Sequence, residues 1–339
     1  MIDRLIPLWE RALQRTGVRA DDNFFDLGGT PETAKSLFAE IESLSGRTLP
    51  PFLLYHAPTP REMAAALDKR DLGDLPRVVP FKGGGEWPPI FIVPGLGADP
   101  NDFFKLVRRI ETTHPILVLQ AKGVDGTEEP LRRVEDIAQN YFAAILGIQP
   151  KGPYLFIGSS FGGVVTLELA RLLAARGEGI GFFTMLESFP HFHYLKPGQR
   201  IIRFLRVATN HLKTSLVMPW KSGLGYAVAR VRYKLMGGKG AGMRDPDSKT
   251  PPRSPVLQRL SAADYDALKH YHPIEYHGKV KFVRASIGAY FPRNPAAVWR
   301  PWIKNLEVET VSGDHNGITR KNYEELASVL TRYLKEAGL

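Results

Sequence analysis

The chain has 339 residues, of which 43 % are hydrophobic and 24 % charged, with a net charge of +10 and no cysteine. That length suits two domains with a sizeable core, and the composition excludes collagen-like and wholly disordered chains. Without cysteine there is no disulfide scaffold, no thiolate metal or cluster ligand and no thiol nucleophile, which fits a reducing, cytoplasmic setting. The N-terminal MIDRLIPLWERALQR lacks the apolar stretch of a signal peptide, and no run of 18 apolar residues marks a membrane span. Charge is segregated. Residues 191–277 hold 15 Lys+Arg against 5 Asp+Glu and so carry the whole excess, whereas residues 1–76 hold 9 against 12.

Residues 1–70 predict a small all-α bundle. Leu5, Leu8, Trp9 and Leu13 recur at helical spacing, Ala34, Leu37, Phe38 and Ile41 form a second apolar face, and a third helix starts near Pro60. Residues 71–89, rich in Gly and Pro, read as a linker that ends in a hydrophobic strand. From Ile90 short apolar strands alternate with helices: IFIV, PILVLQA, YLFIGS, GFFTMLE, VKFVRA and LEVETV. That alternation predicts a parallel α/β sheet over 90–339. The stretch 191–276 interrupts it with basic amphipathic helices, Arg200 to Met218 and Leu224 to Met236. A Gly/Pro-rich piece after them reads as a mobile loop.

The strongest local signal is Gly158-Ser159-Ser160-Phe161-Gly162 between a strand and a helix. A serine on so tight a turn has strained backbone angles, and side chains two residues to either side would collide, so glycine stands there. Ser160 is thus a candidate nucleophile. It needs a base, and the base needs an orienting acid. In folds with this turn the chain order is serine, acid, histidine. Glu187 ends the strand after the following helix, and His315 follows the last strand. Asp314 is too close to His315 in the backbone to orient its ring and is read as shaping the loop. For the oxyanion, the Phe161 N–H is one donor. Gly95 or Leu96, in the loop after the first strand of the alternation, supplies the other. His191 with His193 and His270 with His272 lack a metal-site pattern, so no metal is expected. The basic charge comes without a recognised nucleic-acid module, so no nucleic acid is expected either.

With these residues in place the chain resembles a known family. GSSFGGVVTLELARLLAARGEGIGFFTMLESFP, IFIVPGLG, YHPIEYHGKVKFVRA and VSGDHNG are similar, in order, to segments of the type I thioesterases that terminate nonribosomal peptide and polyketide assembly lines. The resemblance covers Pro89 to the C-terminus apart from 191–276, where that family inserts its lid. It implies an α/β-hydrolase fold with a helical lid insertion and an acyl-O-serine intermediate. Ser160 would be the nucleophile, His315 the base, and Glu187 an acid where aspartate is usual. Residues 1–70 resemble the peptidyl carrier protein that precedes such thioesterases, through LWERAL, DDNFFDLGG and LPPFLLYHAPTPREMAAAL. In that family the serine bearing phosphopantetheine follows LGG by two positions. Here that position is Pro31, and Thr30-Pro31-Glu32-Thr33 reads as a well-capped helix start.

The resemblance therefore implies a pseudo-carrier: no covalently bound cofactor, with phosphopantetheine entering only as part of the substrate thioester. The acyl group would come from an acyl or peptidyl carrier protein in trans or from acyl-CoA. Arg200, Arg203, Arg206, Lys213, Arg230, Arg232 and Lys234 are candidates to receive an acidic carrier, a pantetheine phosphate or an anionic membrane surface. The reading is a serine thioesterase or acyltransferase. A lipase-like ester hydrolase and a non-catalytic docking protein remain its rivals. Met1 and a complete first helix favour a standalone chain over the end of a longer synthase.

Overall fold

The computed structural model describes the chain apart from residues 48, 50–52, 70–76, 98–99, 125, 127, 202–254 and 289–291. Its N-terminal part is helical: α1 (Ile2–Leu13), α2 (Pro31–Ser45), α3 (Leu53–His56) and α4 (Pro60–Asp68). One face of each longer helix is buried. Leu5 and Trp9 of α1 meet Leu37 and Ile41 of α2, Phe24, and Met63 of α4 in one core. α2 and α4 begin by the same device. A threonine, Thr30 or Thr59, accepts an N–H from the third helical residue, whose side chain bonds back, and proline fills the first turn. Such a reciprocal cap satisfies two amides that a helix end otherwise leaves open.

The remainder builds a seven-stranded sheet: β1 (Val78–Lys82), β2 (Ile90–Val93), β3 (Ile116–Leu119), β4 (Tyr154–Ser159), β5 (Ile180–Leu186), β6 (Val280–Ile287) and β7 (Leu306–Asp314). The spatial order is β1-β3-β2-β4-β5-β6-β7. β1, inside the stretch read as linker, pairs antiparallel with β3, and every other pairing is parallel. Alternate residues of the central strands bury into opposite faces. Phe91, Phe156, Met185 and Phe282 pack under α6 (Val134–Ile148) and α7 (Phe161–Ala174). Ile92, Ile157, Leu186 and Val283 pack under α5 (Phe104–Arg109) and a C-terminal helix, Tyr323–Glu336. A sheet apolar on both sides must be covered on both sides, and the helices between and after the strands do so. This is the expected α/β-hydrolase architecture behind a helical domain.

The two parts share apolar packing. Tyr55 of α3 stacks between Phe25 and Phe81, with ring centroids 4.5 Å from each, and Phe25 also meets Phe104 of α5 at 5.4 Å. Arg108 donates to the Phe25 carbonyl at 3.0 Å.

Candidate active site

The strand order reverses at β2: the chain goes from β2 outward to β3, then back past β2 to β4. Loops leaving the carboxyl ends of β2 and β4 therefore diverge and leave a crevice, the usual ligand site of open α/β sheets. Register decides what faces it. Val93 pairs with Gly158, which sets the Pro94–Gly97 loop beside Ser160. Ser159 pairs with Leu186, so Glu187 follows directly alongside. Ile287 pairs with Asp314, so His315 emerges at the same end.

Ser160 stands between β4 and α7 with φ 51° and ψ −118°, and its hydroxyl makes no capping bond to α7. A non-glycine residue held there stores ~1–3 kcal/mol of strain, which the surrounding structure must offset. The Ser160 N–H is bonded to the Leu186 carbonyl at 2.8 Å. The neighbouring glycines are required as the motif implies. A Cβ on Gly158 would lie 2.5 Å from Gly163 Cα, and one on Gly162 would run into the Val93 carbonyl.

Glu187 also has a positive φ, 45°, and is 2 % exposed. Its backbone N–H bonds to the Val283 carbonyl at 2.8 Å, and its Oε1 accepts the Ala285 N–H at 2.6 Å. β6 thus holds the carboxylate at backbone and side chain together. The other oxygen, Oε2, lies 3.5 Å from His315 Nδ1. His315 has a quarter of its side chain exposed. It sits between β7 and a short helix, Gly317–Arg320. Asp314 does shape this loop: its Oδ1 accepts the Gly317 N–H at 2.6 Å.

A cavity of about 260 Å³ opens at this edge, lined by Gly95, Leu96, Ser160, Ser261, His315 and Arg320, among others. Phe161, the first residue of α7, is buried behind Ser160. Gly95 approaches so closely that a Cβ on it would lie 3.1 Å from Ser160 Cβ. The sequence-derived residues Ser160, Glu187, His315, Phe161, Gly95 and Leu96 therefore meet at one end of the sheet.

Of the basic candidates, Arg200 alone lies among the described residues. Arg200 turns back on its own segment, bonding the carbonyls of Leu195 and His193. Arg203, Arg206, Lys213, Arg230, Arg232 and Lys234 lie outside the described residues, as do both predicted amphipathic helices beyond Ile201 and the Gly/Pro-rich piece after them up to Ser254. His191 Nδ1 and His193 Nδ1 are 2.7 Å apart, and His272 bonds the Tyr194 hydroxyl at 2.5 Å. Among the described residues no group of three metal-ligating side chains converges. Nor is any described helix long and apolar enough to cross a membrane.

Sequence reasoning missed α8 (Pro255–His270) and its buried acid, Asp264, which accepts the Gly97 N–H at 2.8 Å. The signal was present. Leu260, Ala263, Asp264 and Ala267 recur at helical spacing, so a carboxylate stands within an apolar stripe. It also missed Glu168 of α7, buried and tied to Arg171 at 2.7 Å and to the Tyr271 hydroxyl at 3.1 Å.

At the N-terminal domain, the position two beyond Leu27-Gly28-Gly29 is the first residue of α2, Pro31, which has no hydroxyl. The Thr30 hydroxyl is committed to the cap, accepting the Thr33 N–H at 3.2 Å.

Residues 88–201 match the Thioesterase domain family, and residues 3–67 match the Phosphopantetheine attachment site family. A dimodular nonribosomal peptide synthase of Bacillus subtilis is 34 % identical over 195 residues, 56 % of this chain but 8 % of that protein. The chain thus spans a small part of that relative. A four-domain nonribosomal peptide synthetase, in its holo form with AMP and glycine, superposes with a TM-score of 0.58 at 18 % identity, covering 98 % of this chain and 26 % of that one. The type II thioesterase BorB of the borrelidin cluster superposes with a TM-score of 0.52 at 15 % identity, covering 76 % and 96 %. The chain carries a thioesterase-type serine hydrolase domain of α/β-hydrolase fold, preceded by a helical domain of the phosphopantetheine-attachment type.

Proposed function

We propose that this protein takes an acyl or peptidyl group from a thioester onto Ser160 and releases it to water, an amine or an alcohol in natural-product biosynthesis. His315 removes the Ser160 proton, and Oγ attacks the thioester carbonyl. The oxyanion rests on the N–H of Phe161 and that of Gly95 or Leu96. The C–S bond breaks, and His315 returns the proton to the departing thiolate. The incoming nucleophile is then deprotonated by His315 and attacks the acyl carbon; the bond to Ser160 Oγ breaks, and His315 returns the proton to that oxygen. Glu187, fixed through Ala285, holds the imidazole orientation and balances its charge when protonated. The single observation that carries this reading is the convergence of a strained, uncapped Ser160 with His315 and Glu187 at the strand ends.

The N-terminal domain, on this reading, carries no phosphopantetheine of its own. Pro31 offers no side-chain hydroxyl, and the Thr30 hydroxyl serves its helix. The thioester therefore arrives on a separate carrier protein or on coenzyme A. Intact mass tests both statements, after co-expression with a phosphopantetheinyl transferase and treatment with a fluorophosphonate, beside Ser160→Ala. One adduct, lost in the variant, and no pantetheine mass is the expected result. No adduct on the wild type would favour a docking role. Pantetheine on the N-terminal domain would refute the reading of Pro31.

A further inference from the structure

Asp264 is a buried acid that the mechanism above does not use. It lies on α8 one turn after Ser261, a cavity-lining residue, and is 6 % exposed. Burial raises its pKa to about 7. From α6 the Tyr141 phenol feels its charge. An acid in such a place costs stability unless it is bonded. Asp264 has one specific bond across 167 residues of chain, from the Gly97 N–H to its Oδ2 at 2.8 Å.

Gly97 closes the loop that carries Gly95 and Leu96. Its φ is +52°, and a Cβ there would lie 2.7 Å from Ser261 Cβ and 2.8 Å from the Leu257 carbonyl. Loop and helix interlock at this residue, by close approach and by hydrogen bond. The bond to Asp264 fixes the peptide plane between Leu96 and Gly97. It engages the Gly97 N–H, and it sets the turn on which the Gly95 and Leu96 amides are carried.

We propose that Asp264 is a positioning residue for the oxyanion loop. Through Gly97 it holds the Gly95–Leu96 amides toward the acyl oxygen on Ser160, without touching the reacting atoms itself. This deepens the proposed function and rests on Ser160 being the nucleophile.

The test uses the full chain: wild type, Asp264→Ala, Asp264→Leu, which fills the space without an acceptor, and Asp264→Asn, whose Oδ1 can still accept the Gly97 N–H. Turnover of the octanoyl thioester of N-acetylcysteamine is measured per active site, with active sites counted by fluorophosphonate labelling. Losing one oxyanion donor costs about 10²–10³ in kcat, and a displaced donor costs a share of that. The Ala and Leu variants should therefore lose ~10-fold or more in kcat with KM within about twofold, and Asn should restore most of the rate. A merely structural role would lower the fraction of active sites and leave kcat per site unchanged. Unchanged kcat per site in both Ala and Leu variants would overturn the proposal, as would an Asn variant as slow as Ala. A labelled wild type with such results refutes this inference alone. A wild type that takes no label overturns the nucleophile reading and this inference with it.

Discussion

α2 and α7 both begin at a hydroxyl residue after a short glycine-containing turn: Thr30 behind Gly28 and Gly29, Ser160 behind Gly158 and Ser159. Thr30 has extended angles, φ −123° and ψ 163°, and bonds the Thr33 N–H while Thr33 Oγ1 accepts the Thr30 N–H at 2.9 Å. Ser160 has φ 51° and leaves the first amides of α7 uncapped by its side chain. One junction uses its oxygen on its own backbone. The other holds strain and keeps the oxygen at the edge of a cavity beside His315. A helix N-terminus with a hydroxyl serves stability or chemistry according to what the hydroxyl bonds. In this chain the helical N-terminal domain has the stable version, and on the proposed function the hydrolase domain has the reactive one.

The comparison breaks most sharply at Ser160. Ser160→Ala should lower thioester turnover by at least about 10³-fold and abolish fluorophosphonate labelling, because no other group takes over the attack. The variant loses only a hydroxyl that makes no capping bond and keeps the Cβ and the backbone angles, so the melting temperature should hold. Retained turnover in this variant would remove the distinction between the two junctions. Glu187→Gln comes next. It keeps an acceptor for the Ala285 N–H but loses the charge and favours the wrong imidazole tautomer. A fall in kcat of about 10²–10⁴, with labelling slowed alike, is expected from pH 7 to pH 8. A fall below tenfold would mean that His315 is oriented by something else.

The elbow was legible because it is local. Five residues, a strand before and a helix after, require nothing from the rest of the chain. The helix starts at Phe161, and Gly162 and Gly163 in its first turn approach β2 and Ser188 too closely to carry a side chain. Glu187 and His315 were legible only through a chain-order rule. Their meeting depends on β5, β6 and β7 lying parallel in register, which no window of sequence contains. β1 was absorbed into the linker because VVPFK is short and contains proline, and a strand of that kind is tolerated at a sheet edge. The Asp264–Gly97 bond was out of reach altogether. Helical periodicity places Asp264 on an inward face, but only the folded chain shows which amide it meets.

Asp264 also makes a stability prediction with a definite sign. Its folded-state pKa of about 7 lies above the ordinary 3.8. Between those values the folded protein holds the proton more tightly than the unfolded chain. Stability from this group is therefore full below about pH 4 and is lost as pH rises through about 7. Three pKa units set an upper bound of ~4 kcal/mol. Asp264→Asn removes the titration. The melting temperature of the variant relative to wild type should climb from pH 4 to pH 8, read by scanning calorimetry. A difference that is flat in pH would mean that the carboxylate is stabilised when ionised.

The smallest effect separates the two helix starts on the stable side. Thr30→Ala removes the acceptor for the Thr33 N–H and leaves that amide to solvent. Caps of this type contribute about 1 kcal/mol, so a decrease of that order in unfolding free energy by urea titration is expected. Turnover per active site should stay the same, since on this reading the Thr30 hydroxyl has no part in acyl transfer. A Thr30→Ser control keeps the cap and should recover the loss. If Thr30→Ala instead reduced turnover with a carrier-bound substrate while stability was unchanged, the Thr30 hydroxyl would belong to the chemistry. The two junctions would then be alike in use and different only in strain.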